Sequence, residues 1–164
     1  MSVLSEVTMA EVENEDANEN LVKVILDVSD DTFGISGERV WALPVGNDLY
    51  EIRNTPWHTC DVHWGDIVRA VASNQDEWPR FVEVVERGGH QTLHLYFHAE
   101  ASEDYRSDIL NRLSEWKANY ENGDGKLYAI DVQPGGDLAG LCNYLEKLDT
   151  AKIDYRTEVL PIKN

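Results

Sequence analysis

The sequence predicts an α+β protein in which a small antiparallel β-barrel-like first half packs against a ferredoxin-like βαββαβ second half. Short runs of β-favouring residues separated by turn residues fill residues 21–89, whereas residues 90–164 alternate strand patterns with two helix patterns. The chain has 164 residues, of which 42% are hydrophobic, so it can bury a core without disulfides or metal ions.

Five segments of the first half have the composition of strands. They are residues 21–28, 40–44, 49–52, 67–72 and 81–86. Turn signals such as Gly46-Asn47-Asp48 and Gly65-Asp66 separate them. This spacing is typical of a small barrel or a curled sheet.

The second half begins with a strand over residues 91–99, where apolar and polar side chains alternate as in a strand with one buried face. Ser102 is a typical helix N-cap, and a helical stripe follows as far as Trp116. A hairpin over 119–132, a helix over 137–148 and a last strand over 153–159 complete the pattern. This order of elements is that of a ferredoxin-like plait.

Three regions follow from these patterns. Residues 1–20 include an acid- and Asn-rich stretch with little apolar content, which predicts a mobile acidic tail. Residues 21–89 form the predicted antiparallel β subdomain, and residues 90–164 form the predicted plait subdomain.

The charge balance restricts the class of partner. Thirty-one Asp and Glu residues against 14 Lys and Arg residues give a formal net charge of −17. Such a surface repels nucleic acid and anionic membranes, because binding to phosphates needs cationic side chains. It attracts a basic protein by long-range electrostatics, although many acidic proteins use their charge only for solubility.

The sequence predicts a cytoplasmic protein. Its first 20 residues show no export signal, and no segment is long and apolar enough to span a membrane. Cys60 and Cys142 stand far apart and form no disulfide framework, which suits a reducing compartment.

One segment, residues 57–66, concentrates groups that could carry chemistry. It contains His58, Cys60 and His63, which allow either a metal site or a Cys60 nucleophile activated by one of the histidines. The spacing is not that of a zinc motif, and in an extended segment the two imidazoles point to opposite faces. We therefore favour a structural turn and predict no catalytic residue, no metal, no cofactor and no enzymatic activity.

Two further patterns have structural interpretations. His90, His94 and His98 share one face of a predicted strand, but neighbours four residues apart stand about 13 Å from each other and cannot share a metal ion. Gly135-Gly136 precedes a predicted helix and could hold an anion at its N-terminus, although a glycine pair in this position usually only turns the chain.

Carboxylates interleaved with aromatic residues suggest a contact face for a protein partner. Charge accelerates the encounter with a basic partner, and aromatic anchors make the complex tight. The alternative is a solvated acidic surface around core tryptophans. The predicted contact residues are Asp61, Asp66, Asp76, Glu77 and Trp78.

Four phrases of the sequence, ERVWALPVG (38–46), LYEIRNTPW (49–57), GDIVRA (65–70) and VVERGGHQTL (84–93), resemble the bacterial family catalogued as domain of unknown function 4265. The resemblance brings no established catalytic residue. It implies a small bacterial cytosolic protein of the stand-alone kind that is often found as an immunity protein beside toxins.

We therefore expect a cognate immunity protein that inhibits a bacterial toxin domain by occluding a basic active site. The alternative is a small-molecule-sensing regulatory module that forms a homodimer through the ferredoxin-like half. A third hypothesis is an enzyme that uses Cys60 with His58 or His63.

Overall fold

The computed structural model describes residues 20–28, 37–59, 61–122 and 125–157. Within these ranges the chain forms nine strands, two α-helices and one short 3₁₀ helix. The strands are β1 (Val22–Asp27), β2 (Gly37–Gly46), β3 (Leu49–Ile52), β4 (Ile67–Val71), β5 (Arg80–Glu86), β6 (Gln91–Phe97), β7 (Ala118–Asn122), β8 (Leu127–Val132) and β9 (Ile153–Thr157). The helices are α1 (Glu103–Arg112), the 3₁₀ helix Leu113–Trp116 and α2 (Leu138–Glu146).

Strands β1 to β5 form a closed barrel in chain order. Consecutive strands pair antiparallel, and the barrel closes where β1 and β5 meet in parallel at Ile25 and Arg80. Alternate side chains point inward, so the interior holds Val24, Leu26, Val40, Ala42, Ile52, Val62, Val68 and Ala70. The barrel expected for the first half is present.

The remaining four strands form a second antiparallel sheet in the order β7-β8-β6-β9. Apolar residues of β6 and β8, including Leu93, Leu95 and Ile130, form one core cluster with the helix residues Ile109 and Leu141. All six residues of β8 are buried. A central strand that is buried at successive positions has both of its faces covered.

The two helices are held by side-chain caps that the sequence specifies. Ser102 Oγ accepts a hydrogen bond of 3.1 Å from the backbone N–H of Tyr105 at the start of α1. Asp137 Oδ1 accepts one of 2.8 Å from the N–H of Gly140 at the start of α2. After the 3₁₀ helix, Lys117 adopts a left-handed conformation with φ of 57°, which ends the helical region.

A polar layer joins the sheet to the barrel. The loop between β3 and β4, called the barrel loop below, lies against β6. His63 Nδ1 in this loop is 2.7 Å from Thr92 Oγ1, and His94 Nε2 is 2.8 Å from the carbonyl oxygen of Pro56. Both imidazoles are buried, with exposed fractions of 4% for His63 and 3% for His94. Buried polar groups need partners, and this loop supplies them.

The structure corrects the predicted fold class. The prediction of an α+β protein with a ferredoxin-like βαββαβ half is wrong, because the described chain is mostly β and its α-helices have only 10 and 9 residues. The helical pattern after Ser102 led to an α-helix that is too long. Its last turn, from Leu113 to Trp116, is a 3₁₀ helix, and Lys117 ends the helical region in a left-handed conformation.

The expectation that β6 has only one buried face is also wrong. Thr92 and His94 alternate with apolar residues, yet both are buried beneath the barrel loop. A polar residue in an alternating strand can thus face a polar interior layer as well as solvent.

The predicted acidic tail, residues 1–20, falls almost entirely outside the described residues. The proposed boundary between residues 89 and 90 remains a prediction, although the barrel strands end at Glu86 and β6 begins at Gln91. In the described part of the chain, no helix is both long and apolar enough to cross a membrane.

Candidate functional site

A pocket of about 280 Å³ opens where the barrel loop meets the sheet. We call it the seam pocket. Its volume is near the lower end of the range for small-ligand sites, about 300 Å³. It is lined by Thr55, Trp64, His90, Asn119, Tyr120, Glu121, Ala129, Asp131 and Gln133.

Strand pairing places the polar groups of the seam pocket on one face. Asn119 pairs with Asp131, and Glu121 pairs with Ala129, across β7 and β8. Residues two apart on a strand point to the same side, so Asn119, Glu121 and Asp131 share the face that meets the barrel. The opposite face of β8 carries Ile130 and belongs to the apolar core.

His90 forms the wall of the seam pocket nearest the barrel. Its Nδ1 lies 2.7 Å from Asp131 Oδ1, so the side chains form a hydrogen-bonded pair. The ring of Trp64 stacks on the imidazole, with 6.3 Å between centroids and 22° between planes. These contacts fix the imidazole on both its edge and its face.

Asp66 holds the loop that presents Trp64. Its Oδ2 accepts hydrogen bonds from the backbone N–H of His63 at 2.9 Å and from Arg87 at 2.8 Å. Its Oδ1 accepts one of 3.0 Å from the N–H of Gly88. The side chain of Asp66 is completely buried, so these bonds compensate the loss of its hydration.

Close backbone packing fixes the same loop from the other side. Gly65 has φ of +87°, and a Cβ atom added at Gly88 would lie 2.7 Å from the carbonyl carbon of Gly65. Only glycine allows this approach without a shift of the backbone. The pair therefore sets the position of Trp64 and His90 relative to the sheet.

The two carboxyl groups of the seam pocket have perturbed acidity. Burial raises the pKa of Glu121 to about 7, with a further increase from the negative charge of Asp131, while a hydrogen bond from the Thr55 backbone acts against the shift. Burial also raises the pKa of Asp131, and the hydrogen bond from His90 opposes this increase. Near pH 7 the pocket therefore contains a carboxyl group that can either keep or release a proton.

The structure separates the predicted partner-contact residues into two groups. Asp61 is exposed and Asp66 is buried before β4, whereas Asp76, Glu77 and Trp78 are exposed in the loop between β4 and β5. The two groups lie at opposite ends of the hairpin, and a five-residue strand such as β4 spans about 13 to 17 Å. The carboxylate of Asp66 is used inside the protein, and the other four predicted contact residues are exposed.

The segment considered for cysteine or metal chemistry, residues 57–66, is held by hydrogen bonds to other parts of the chain. The backbone N–H groups of Trp57, His58 and Thr59 all donate to the Glu38 carboxylate, at 2.8 to 2.9 Å. His63 contacts Thr92, and Cys60 lies outside the described residues. No group of three or more His, Cys, Asp or Glu side chains in the described ranges could hold a metal ion.

His90, His94 and His98 make contacts with different parts of the chain. His90 contacts Asp131, His94 contacts Pro56, and His98 Nε2 lies 2.9 Å from Asp154 Oδ2.

The helix that follows Gly135-Gly136 is capped by the carboxylate of Asp137, which occupies the position where an anion would bind.

Sequence reasoning missed the residues that line the seam pocket. Asp131 did carry a signal, since a single carboxylate inside the apolar run YAIDV is unusual for a buried strand. Glu121 lies beside a turn and gave no comparable signal. The placement of both in one pocket with His90 depends on the pairing of distant segments, which the sequence pattern alone does not specify.

Comparison with known proteins supports the fold. A crystal structure of a hypothetical protein from Neisseria gonorrhoeae superposes with a TM-score of 0.71 at 15% sequence identity, over 83% of this chain and 92% of that chain. This similarity concerns the fold alone. No curated protein matches the sequence. Residues 38–154 match a family described as Domain of unknown function (DUF4265), and the chain therefore belongs to that family.

Proposed function

We propose that this protein is a bacterial, cytoplasmic immunity protein that binds a basic toxin domain and occludes its active site. The observation that carries the proposal is the loop between β4 and β5, where Trp78 is 45% exposed next to Asp76 and Glu77. An exposed tryptophan flanked by carboxylates, on a chain of net charge −17, suits a cationic partner surface.

The cationic residues of β4 and β5, the two barrel strands that flank this loop, are already paired. Arg80 Nη1 lies 2.6 Å from Asp27 Oδ1, and Arg69 Nη2 lies 2.8 Å from Glu83 Oε2. These ion pairs are exposed and contribute little stability, but they offset the positive charge of the hairpin. The carboxylates of Asp76 and Glu77 thus set the sign of the local potential that a partner meets.

The loop is also held in shape before any partner binds. Asn74 Oδ1 accepts a hydrogen bond of 2.8 Å from the N–H of Asp76, and the carbonyl oxygen of Asn74 accepts one of 3.3 Å from the N–H of Glu77. The carbonyl oxygen of Pro79 accepts a 2.9 Å bond from Ile25 of β1. A preorganised loop loses less conformational entropy on binding.

The test begins with capture of partners from the lysate of the native bacterium on the tagged chain, at low and at high salt. We expect one stoichiometric partner with a basic domain, whose association rate falls as salt increases. The captured domain should inhibit growth when it is expressed alone, and coexpression of this protein should restore growth.

The surface is tested with Trp78→Ala. This variant should weaken binding of the captured domain by about tenfold or more, as expected for an anchor residue. Trp41→Ala is the matched control, because Trp41 is 43% exposed on the barrel strand β2 and lies away from the loop. If no basic partner is captured, or if both variants bind like the original protein, the proposal is wrong.

A further inference from the structure

The seam pocket presents negative charge from two strands. Glu121 on β7 and Asp131 on β8 face it, and none of its described lining residues is a lysine or an arginine. His90 is the one lining side chain that can become cationic, and it is bonded to Asp131. In the described part of the chain, no ion pair joins Glu121 to a cationic side chain. The Thr55 backbone donates a hydrogen bond to the Glu121 carboxyl group.

Ionisation of Glu121 lowers the stability of the folded protein. Its raised pKa of about 7 means that burial disfavours the carboxylate, and the charge of Asp131 adds to this effect. A bound cation would reverse both contributions and displace the proton. Residues that reduce stability in this way are commonly kept for function.

The pocket also has an aromatic wall. Trp64 lines it beside His90. Tyr120 pairs with Ile130, so its ring lies on the opposite face of the sheet, where it contacts Tyr128 at 5.6 Å between centroids, and it lines the pocket through its backbone. Aromatic rings next to carboxylates favour an organic cation, since the cation can contact the electron-rich ring faces.

The remaining polar groups favour a planar cation with many donors. Asn119 and Gln133 contribute side-chain carbonyl oxygens that can accept hydrogen bonds, next to the carboxylates of Glu121 and Asp131. A guanidinium group has five N–H donors in one plane and stacks on aromatic rings, whereas an ammonium group has three donors around one point.

From this arrangement we propose that the seam pocket binds a guanidinium group, with Glu121 and Asp131 as its anionic contacts and Trp64 as its aromatic contact. The group can come from an arginine side chain of a protein or from a free arginine-like molecule. Its assignment to an arginine of the basic partner rests on the proposed function, whereas binding of the group itself does not.

The test is titration of the full chain with N-acetyl-L-arginine methylamide, followed by calorimetry and by the indole N–H signals in NMR spectra. We expect binding that perturbs Trp64, and no binding of the corresponding citrulline derivative, whose neutral urea group has the same shape. Glu121→Gln should weaken binding by about tenfold, because it removes one charge-assisted contact. Glu100→Gln is the matched control, since Glu100 is exposed in a turn outside the pocket.

A proton readout separates direct contact from a structural role of Glu121. The titratable side chains that face the bound cation are Glu121, Asp131 and His90. Glu121, whose pKa is raised to about 7, becomes anionic as pH rises through this range. Affinity should therefore increase between pH 6 and pH 8, with proton release on binding that is smaller in Glu121→Gln. Equal binding of the arginine and citrulline probes, or binding that Glu121→Gln leaves unchanged, would overturn the proposal.

Two probes distinguish the sources of the guanidinium group. The blocked arginine methylamide imitates a side chain in a protein, whereas free L-arginine carries an α-ammonium and an α-carboxylate group that an arginine within a protein lacks. Tighter binding of the blocked probe supports the partner side chain, and tighter binding of the free amino acid supports a metabolite. If neither binds, the guanidinium proposal fails, and the capture experiment with Trp78→Ala still decides the proposed function independently.

Discussion

His94 Nε2 donates a hydrogen bond of 2.8 Å to the carbonyl oxygen of Pro56, and this bond links the sheet to the barrel. Arg156 approaches the other ring nitrogen, Nδ1, at 3.3 Å and donates to it. The two contacts assign the neutral tautomer with its proton on Nε2. Burial lowers the pKa of His94 to about 4, and the charge of Arg156 contributes to the decrease.

The pKa of His94 predicts an acid-sensitive fold. Above pH 6.5 the imidazole is neutral in both states. As pH falls from about 6.5 to 4, the imidazole of His94 binds a proton in the unfolded chain but stays largely neutral in the folded protein. The free energy of unfolding therefore decreases by about 2 to 3 kcal/mol. Urea unfolding at pH 7.5, 5.5 and 4.5 should show a smaller decrease for His94→Gln than for the original protein. His98→Gln is the matched control for the loss of an imidazole, since His98 is partly exposed and contacts Asp154 instead of the barrel loop.

Glu121 predicts the opposite dependence on pH. Its folded-state pKa is raised, so the folded protein holds a proton that the unfolded chain releases, and stability decreases as pH rises from about 4.5 to 7. Glu121→Gln should raise the free energy of unfolding at pH 8 by about 1 to 3 kcal/mol and change it little at pH 4. Thermal or urea unfolding at both pH values measures this difference. A loss of stability at pH 8 would contradict the assignment of a buried, costly carboxylate.

Gly88→Ala should destabilise the protein by about 1 to 3 kcal/mol, because the added methyl group meets the backbone of Gly65 and one loop must move. The same movement should disturb the stacking of Trp64 on His90, which indole signals in NMR spectra would report. Gly46→Ala is the control. There the added Cβ would meet the end of the Leu49 side chain at 3.2 Å, and a flexible side chain can move away. Equal stability of the two variants would show that the close approach is not needed.

The sequence allowed prediction of most local elements but not of the way they combine. Runs of β-favouring residues between turn signals located strands such as Leu49–Ile52, and Ser102 marked the start of α1 because an N-cap acts within one turn. The fold class failed because it depends on helix length and on how each sheet face is covered. Lys117 ends the helical region in a left-handed conformation that its residue type does not favour.

The candidate site was harder to predict for the same physical reason. Asp66 was predicted to contact a partner because carboxylates interleaved with aromatic residues suit a basic surface. It is instead buried, because Arg87 and Gly88 from 21 and 22 residues away supply its hydrogen bonds. Contacts of this range depend on the closed barrel. Trp78, by contrast, lies between the predicted strands 67–72 and 81–86, and it is exposed.

The polar layer between the barrel loop and β6 also affects how such a chain can change during evolution. Hydrogen bonds such as those of His63 with Thr92 and His94 with Pro56 need defined directions as well as distances. If the barrel or the sheet were replaced by the corresponding part of an unrelated protein, these buried groups would lose their partners. Each loss would lower the free energy of unfolding by about 1 to 3 kcal/mol. Recombination within the chain is therefore disfavoured, and the barrel and the sheet are expected to be inherited together as one unit.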